Sequence, residues 1–267
     1  GQIYTYNVLF GTPPRQLTSE GINIYPAFSP DGTRVAFSSR RTATDENDLF
    51  VKDLNDDSPP RPIMTFEANQ LLTQWPSDSL IVFEVGPNTS GSNSSNRGAM
   101  DLWTVDLSDP DNPRAKEYLS SEHDLRRMVV SPDGTLAAYR SDESGQNEVY
   151  VASFPDPGEP TRISQDRGNL AFWSPDGDVL YIGPGSARSL VAARLQRNPM
   201  PVVSSFEESG FRTGQGATPF PGAALHPDGV RFIMAAATDW SEVSSDTPDQ
   251  VVLVQNFFED LKRLVPN

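Results

Sequence analysis

Cysteine is absent from the 267 residues. No disulfide, thiolate nucleophile or cysteine-bound zinc is open to this chain, although the absence leaves its compartment undetermined. Histidine is nearly absent too: His123 and His226 are the only two, which excludes a multi-histidine metal centre. Basic residues are few. Lys and Arg number 21 against 36 Asp and Glu, for a net charge of −15. Such a chain lacks the basic face that neutralises nucleic-acid phosphates and has no polybasic hold on anionic lipid. Long apolar runs are also missing. The longest, at 80–83 and 232–237, fall far short of the ~20 residues that span a bilayer. No signal peptide is expected within these residues, and the chain opens on Gly1 instead of Met. It is therefore expected to be a trimmed piece, the C-terminal part of a longer protein.

What the chain does have is turns: 24 prolines and 19 glycines, a composition that suits many corners and few long helices. One corner recurs, as Phe28-Ser-Pro-Asp-Gly32, Val130-Ser-Pro-Asp-Gly134, Trp173-Ser-Pro-Asp-Gly177 and Leu225-His-Pro-Asp-Gly229. A degenerate copy is Gln74-Trp-Pro-Ser-Asp78. The prolines stand at 30, 76, 132, 175 and 227, giving steps of 46, 56, 43 and 52 residues. A period in the forties matches a four-stranded propeller blade. Pro presets φ, Asp bonds the downstream backbone and Gly accepts positive φ, so each copy reads as a tight corner between two strands. An apolar stretch leads into each corner. A second strand leaves it, as at Arg34-Val-Ala-Phe37 or Leu136-Ala-Ala-Tyr139. A third follows a polar loop, as at Asp48-Leu-Phe-Val-Lys-Asp53, Asp101-Leu-Trp-Thr-Val-Asp106 and Glu148-Val-Tyr-Val-Ala152. The alternation in these third strands predicts one covered face. Weaker outer strands are expected at Arg61-Pro-Ile-Met64 and Thr161-Arg-Ile163, where an edge tolerates proline.

The ends differ from the middle. Gln2-Ile-Tyr-Thr-Tyr-Asn7 and Arg15-Gln-Leu-Thr18 read as third and fourth strands of a blade whose first two strands are missing. Gln250-Val-Val-Leu-Val254 reads as the third strand of the last repeat. Asn256 followed by Glu259 is a capping-box pattern, and Phe257, Phe258, Leu261 and Leu264 share one side of a short C-terminal helix. Residues 86–98 are small and polar and predict a mobile loop that accounts for the 56-residue step; 240–250 reads as a similar, more acidic loop.

The corners, together with the Asp-Leu-Phe-Val and Asp-Leu-Trp-Thr third strands, resemble the TolB-like, WD-repeat-like β-propeller. The stretch 141–155 and the ending 251–266 are similar to the C-terminal propeller of large bacterial proteins, many of them serine/threonine protein kinases. The resemblance implies a sensor or interaction domain, often placed after a membrane-spanning segment and thus on the extracytoplasmic or periplasmic side. No Gly-rich phosphate loop, His-Arg-Asp or Asp-Phe-Gly segment occurs here. The expected fold is all-β: a propeller of four-stranded antiparallel blades, six in the full ring. This chain would supply an outer half-blade (1–20), five repeat cores (21–255) and a helical tail (256–267).

Enzymatic readings find little support. A prolyl-oligopeptidase-type hydrolase needs a Gly-x-Ser-x-Gly elbow on a separate α/β domain, and no such pentapeptide exists. A lactonase-type or sugar-hydrolysing propeller needs carboxylates around the channel, yet the inner strands Tyr25-Pro-Ala-Phe28, Leu71-Leu-Thr73, Arg127-Met-Val-Val130, Leu170-Ala-Phe172 and Gly222-Ala-Ala-Leu225 carry none. The acidic stretches 45–48, 53–57 and 108–112 lack the glycine and terminal glutamate of an EF-hand loop and read as solvated charge. No metal or cofactor is expected. His226 replaces a turn serine, and His123 reads as a loop contact near the channel mouth. A partner, protein or small ligand, is expected at a mouth ringed by Asn23, Tyr25, Asn69, Gln70, Arg126, Arg127 and Asn169. Arg126-Arg127 suits a carboxylate or phosphate, against the plainer reading of ion pairs with Asp124 or Glu122. The function expected is a non-catalytic binding or sensing scaffold. The alternative is a propeller-type hydrolase or the accessory propeller of a peptidase.

Overall fold

The computed structural model describes residues 1–6, 13–41, 46–65, 67–87, 98–183, 189–196, 201–212, 224–225, 232–233 and 250–254. All regular structure among them is β. Strands β1 (Gln2–Tyr6) and β2 (Arg15–Gln16) open the chain. The first four-stranded sheet follows, with β3 (Ile22–Phe28), β4 (Arg34–Arg40), β5 (Asp48–Asp53) and β6 (Arg61–Met64). The second holds β7 (Asn69–Ser77), β8 (Leu80–Gly86), β9 (Asp101–Asp106) and β10 (Arg114–Leu119). The third holds β11 (Arg126–Val130), β12 (Leu136–Ser141), β13 (Glu148–Ser153) and β14 (Thr161–Arg162). The fourth holds β15 (Leu170–Trp173), β16 (Val179–Gly183), β17 (Ser189–Gln196) and β18 (Val202–Arg212). A two-stranded unit of β19 (Ala224–Leu225) and β20 (Phe232–Ile233) comes next, and β21 (Gln250–Val254) is last. Every four-stranded sheet is an antiparallel meander in chain order.

The corners form as their chemistry demands, with serine as an added fastener. Ser29 Oγ donates to Asp31 Oδ1 (2.5 Å) and accepts from the Arg34 amide (3.0 Å), while the Gly32 amide donates to the Ser29 carbonyl (2.8 Å) at φ +69°. Ser131, Asp133 and Gly134 repeat this geometry, as do Ser174, Asp176 and Gly177. The degenerate copy departs from it: β7 runs through Pro76 to Ser77, which pairs with Leu80 across a two-residue turn.

Both faces of these strands are covered, not one. Along β12, Leu136 and Ala138 pack against Trp173, Leu180 and Ile182 of the fourth sheet. The intervening Ala137 and Tyr139 pack against Val82, Leu102 and Tyr118 of the second. Strand β8 divides likewise, Ile81 and Phe83 facing the first sheet and Val82 the third. Val35 and Phe37 of β4 meet Ile3 and Leu17 from the opening hairpin. Sheets stacked face to face in this way bury both sides of each strand, which explains the near-continuous apolar runs.

The opening hairpin shares one kind of backbone bond with the third strands of the first two sheets. The Gly1 carbonyl, just before β1, accepts from the Asn23 amide (3.0 Å), as Asn47 before β5 accepts from Gln70 (2.8 Å) and Met100 before β9 from Leu125 (3.0 Å). Strand β21 departs from expectation. Instead of lying beside β20 as a third strand, it pairs parallel with β1, Gln2 opposite Gln250 through Tyr6 opposite Val254. A β-branched segment fills the edge of β1 away from β2. The expected helix at 256–267, the turn histidine His226 and most of the two expected loops, at 88–97 and 240–249, lie outside the described residues.

Candidate functional site

Inner strands β3, β7 and β11 each carry a bulge near the middle, at 24–27, 72–74 and 126–129. A bulge frees a backbone amide from its ladder and leaves it in need of an acceptor. The acceptor comes from the preceding sheet, at the position after a buried aromatic on the second strand. Ser38, after Phe37, accepts from the Leu72 amide at 2.8 Å. Glu84, after Phe83, accepts from the Arg127 amide at 2.6 Å. Arg140, after Tyr139, occupies the same position and donates through Nη1 to Asn169 Oδ1 of the next sheet at 3.1 Å. Two bulged residues hold left-handed backbone although neither is glycine: Tyr25 at φ 53° and Arg127 at φ 59°. Strain of that kind persists where surrounding structure imposes it, and it gathers at functional positions.

Around Arg127 the junctions merge into one charged cluster. Arg126 Nε donates to both Asp124 oxygens, at 2.8 and 2.7 Å, and its Nη1 lies 3.7 Å from Glu84 Oε2. Arg140 Nη2 donates to Asp124 Oδ2 at 2.6 Å. Burial pushes the Glu84 carboxyl up, against the opposing pull of the Arg127 amide and the charges of Arg126, Arg127 and Arg140. Burial draws the Arg140 guanidinium down, opposed first by Asp124. The cluster gathers Arg126, Arg127 and Arg140 with the carboxylates of Glu84 and Asp124, and Asp142 Oδ1 accepts from the Asp124 amide at 2.9 Å.

Of the residues expected at the mouth, Arg126, Arg127 and Asn169 come together in this cluster. Arg126 takes the ion pair with Asp124 that the plainer reading foresaw. The others sit at neighbouring junctions, where the buried Gln70 Oε1 has no hydrogen-bond partner. Buried Asn23 bonds Gln2, Thr18, Ser39 and the Glu20 carbonyl. Asn69 Oδ1 accepts from Asn47, and Gln70 donates to Asp48. Tyr25 is half-buried against the core between the first two sheets. His123 is a loop contact, 3.8 Å from Asp142. Inspection of the inner strands alone missed Glu84 and Arg140, because both stand on second strands. The signal was a single polar residue following an apolar run that ends in an aromatic. Among the described residues no group of three metal-ligating side chains is placed to hold an ion.

No protein-family profile matches the sequence. Among solved structures, the chain is similar to TolB from Acinetobacter baumannii, with a TM-score of 0.54 and 17% identity over 80% of this chain and 52% of that one. It is similar to a TolB of Agrobacterium tumefaciens, with a TM-score of 0.55 and 15% identity over 73% of this chain and 69% of that one. The fold is that of a TolB-like β-propeller. The four-stranded sheets are its blades, and the charged cluster lies where blades two, three and four meet. Prolyl oligopeptidase B of Galerina marginata is also similar, with a TM-score of 0.51 and 14% identity over 74% of this chain and 29% of that one. Among curated proteins, dipeptidyl-peptidase 5 of Porphyromonas gingivalis is 29% identical over 147 residues, 53% of this chain. The propeller chain spans 20% of that peptidase's length and about half of the Acinetobacter TolB, 52%. One fold thus serves proteins of different activity, so function must be argued from the site.

Proposed function

We propose that this propeller is a non-catalytic binding scaffold whose partner docks at the blade ends around Arg126, Arg127, Arg140 and Asn169. The observation that carries the reading is the gathering of three arginines around a strained Arg127 in a chain of net charge −15. Planar guanidinium groups held by packing are pre-organised for a carboxylate or phosphate on a protein or small ligand. The setting proposed is the sensor region of a larger bacterial signalling protein, with six blades in the full ring. Only the likeness of 141–155 and 251–266 to kinase-associated propellers supports that setting.

The test is retention of a partner by the 267-residue chain, compared with two variants. Arg127→Glu combined with Tyr25→Ala should weaken retention at least tenfold. Deleting 88–96 should leave it unchanged, since that segment contains no Trp, Tyr or Phe anchor. Loss of binding on deletion, with the double variant unaffected, places the site elsewhere. Turnover of esters, peptides or lactones that one point mutation abolishes overturns the scaffold reading.

A second reading, the accessory propeller of a peptidase, is favoured by the 29% identity with dipeptidyl-peptidase 5. In that setting catalysis belongs to residues outside this chain, and the same blade ends face the peptide substrate.

A further inference from the structure

At the opposite end of the strands, between the first two blades, lies a small cavity that the mouth does not use. It encloses about 10 Å³ and is lined by Arg34, Val51, Arg61, Ile63, Trp75, Leu107 and Pro110. Trp75 is 4% exposed, and its buried indole N–H has no acceptor in the protein. The Arg34 guanidinium stacks over the indole, 4.8 Å from the ring centroid. Among the described residues neither Arg34 nor Arg61 forms an ion pair. Asp109 and Asp111, on the turn around Pro110, bond within that turn, the Asp111 amide donating to Asp109 Oδ1 at 3.2 Å.

Every polar side chain lining the cavity is therefore a donor, and two of the three are cationic. Leaving a buried donor without an acceptor is costly, so its persistence points to an acceptor brought by something else. The enclosed space takes about one water-sized group, too little for a phosphate with all its oxygens. It suits one oxygen of a planar carboxylate, with the second oxygen left at the opening near exposed Arg61. Guanidinium groups match that planar geometry.

We infer that this cavity is a carboxylate-binding site: one carboxylate oxygen accepts from the Trp75 indole N–H and the group is held by Arg34 and Arg61. The inference is independent of the docking site proposed above, because the two sets of residues lie at opposite ends of the strands.

The test follows the indole N–H resonances of the four tryptophans by NMR, with Trp75 assigned from Trp75→Phe. Sodium acetate is titrated against sodium chloride at matched ionic strength. The Trp75 resonance should move saturably with acetate and stay still with chloride, and Arg61→Ala should weaken the response at least fivefold. Arg61 is exposed on the outer strand β6, so this variant keeps the fold. Two blocked tripeptides, one with a single aspartate and one with only a free C-terminal carboxylate, distinguish a side-chain from a chain-end source. A Trp75 resonance indifferent to acetate and to both peptides shows that the cavity holds water alone and overturns the inference. A response equal in wild type and Arg61→Ala overturns it as well.

Discussion

Glu84 is 5% exposed and faces three arginines, yet its most direct bond is to a backbone amide, that of Arg127. Its two candidate roles, acceptor and counter-charge, separate by substitution. Glu84→Ala leaves the Arg127 amide without an acceptor and should cost about 1–3 kcal/mol. Glu84→Gln keeps an acceptor oxygen and removes a charge that burial disfavours, so it should match or exceed the wild type at pH 7. The sign with pH follows from the raised carboxyl. A group whose folded value lies above its unfolded one stabilises the fold below the ordinary carboxylate range, and that contribution is lost as pH rises toward the folded value. The wild type should therefore fall behind Glu84→Gln as pH increases, and the two should converge in acid. Urea unfolding across pH measures both effects, and a Glu84→Gln protein that is weaker at every pH assigns the charge a stabilising role.

The corner is the element that repeats, and two of its carboxylates respond to acid. The serine hydroxyl, first among several causes, holds Asp31 and Asp176 below the usual carboxylate value. A depressed carboxylate contributes stability above its unfolded pKa, and the contribution disappears as pH falls through its folded value. Stability should thus decline below about pH 4, the ordinary Asp range. Replacing Ser29 and Ser174 by alanine should flatten that decline and cost roughly 1 kcal/mol per site at neutral pH. An unchanged acid limb in the double variant assigns the acid sensitivity to other carboxylates. The bulge is a second element with a rule of its own: it releases an amide, and the preceding blade supplies the acceptor, Ser38 in one case and Glu84 in the next. A polar side chain at the end of a second strand therefore belongs to the junction and not to its own sheet.

Among the described residues each face of the first three sheets is shared with a neighbour. Phe83, at 0% exposure in the cluster between the first two blades, is a fair probe of that sharing. Phe83→Ala should cost about 3–5 kcal/mol, with tryptophan fluorescence and far-ultraviolet circular dichroism falling in a single urea transition. Two separated transitions show blades that melt independently. Besides the cluster at the blade ends, Glu148 and Lys52 carry charge into this frame.

The corners and the four-stranded units were legible because they rest on local chemistry. Pro, Asp and Gly define a turn wherever they stand, and a repeat shows itself through its spacing. Four strands per blade were expected, but the sequence did not mark the residues of β10, β17 and β18. The amphipathic alternation suggested one covered face where stacking covers two, since a sequence window cannot register the neighbouring sheet. The same limit applies at the candidate site. Arg126, Arg127 and Asn169 stood out as polar residues ahead of apolar inner strands, whereas Glu84 and Arg140 join them only because a bulge in one blade faces the second strand of the blade before it. Likewise, nothing local separates Gln250–Val254 from any third strand. Its parallel place beside β1 depends on which strand edge the rest of the fold leaves unpaired. Turn chemistry and periodicity are properties of neighbours in sequence, but a shared core, a borrowed acceptor and a filled edge arise from neighbours in space, and those only the tertiary structure decided.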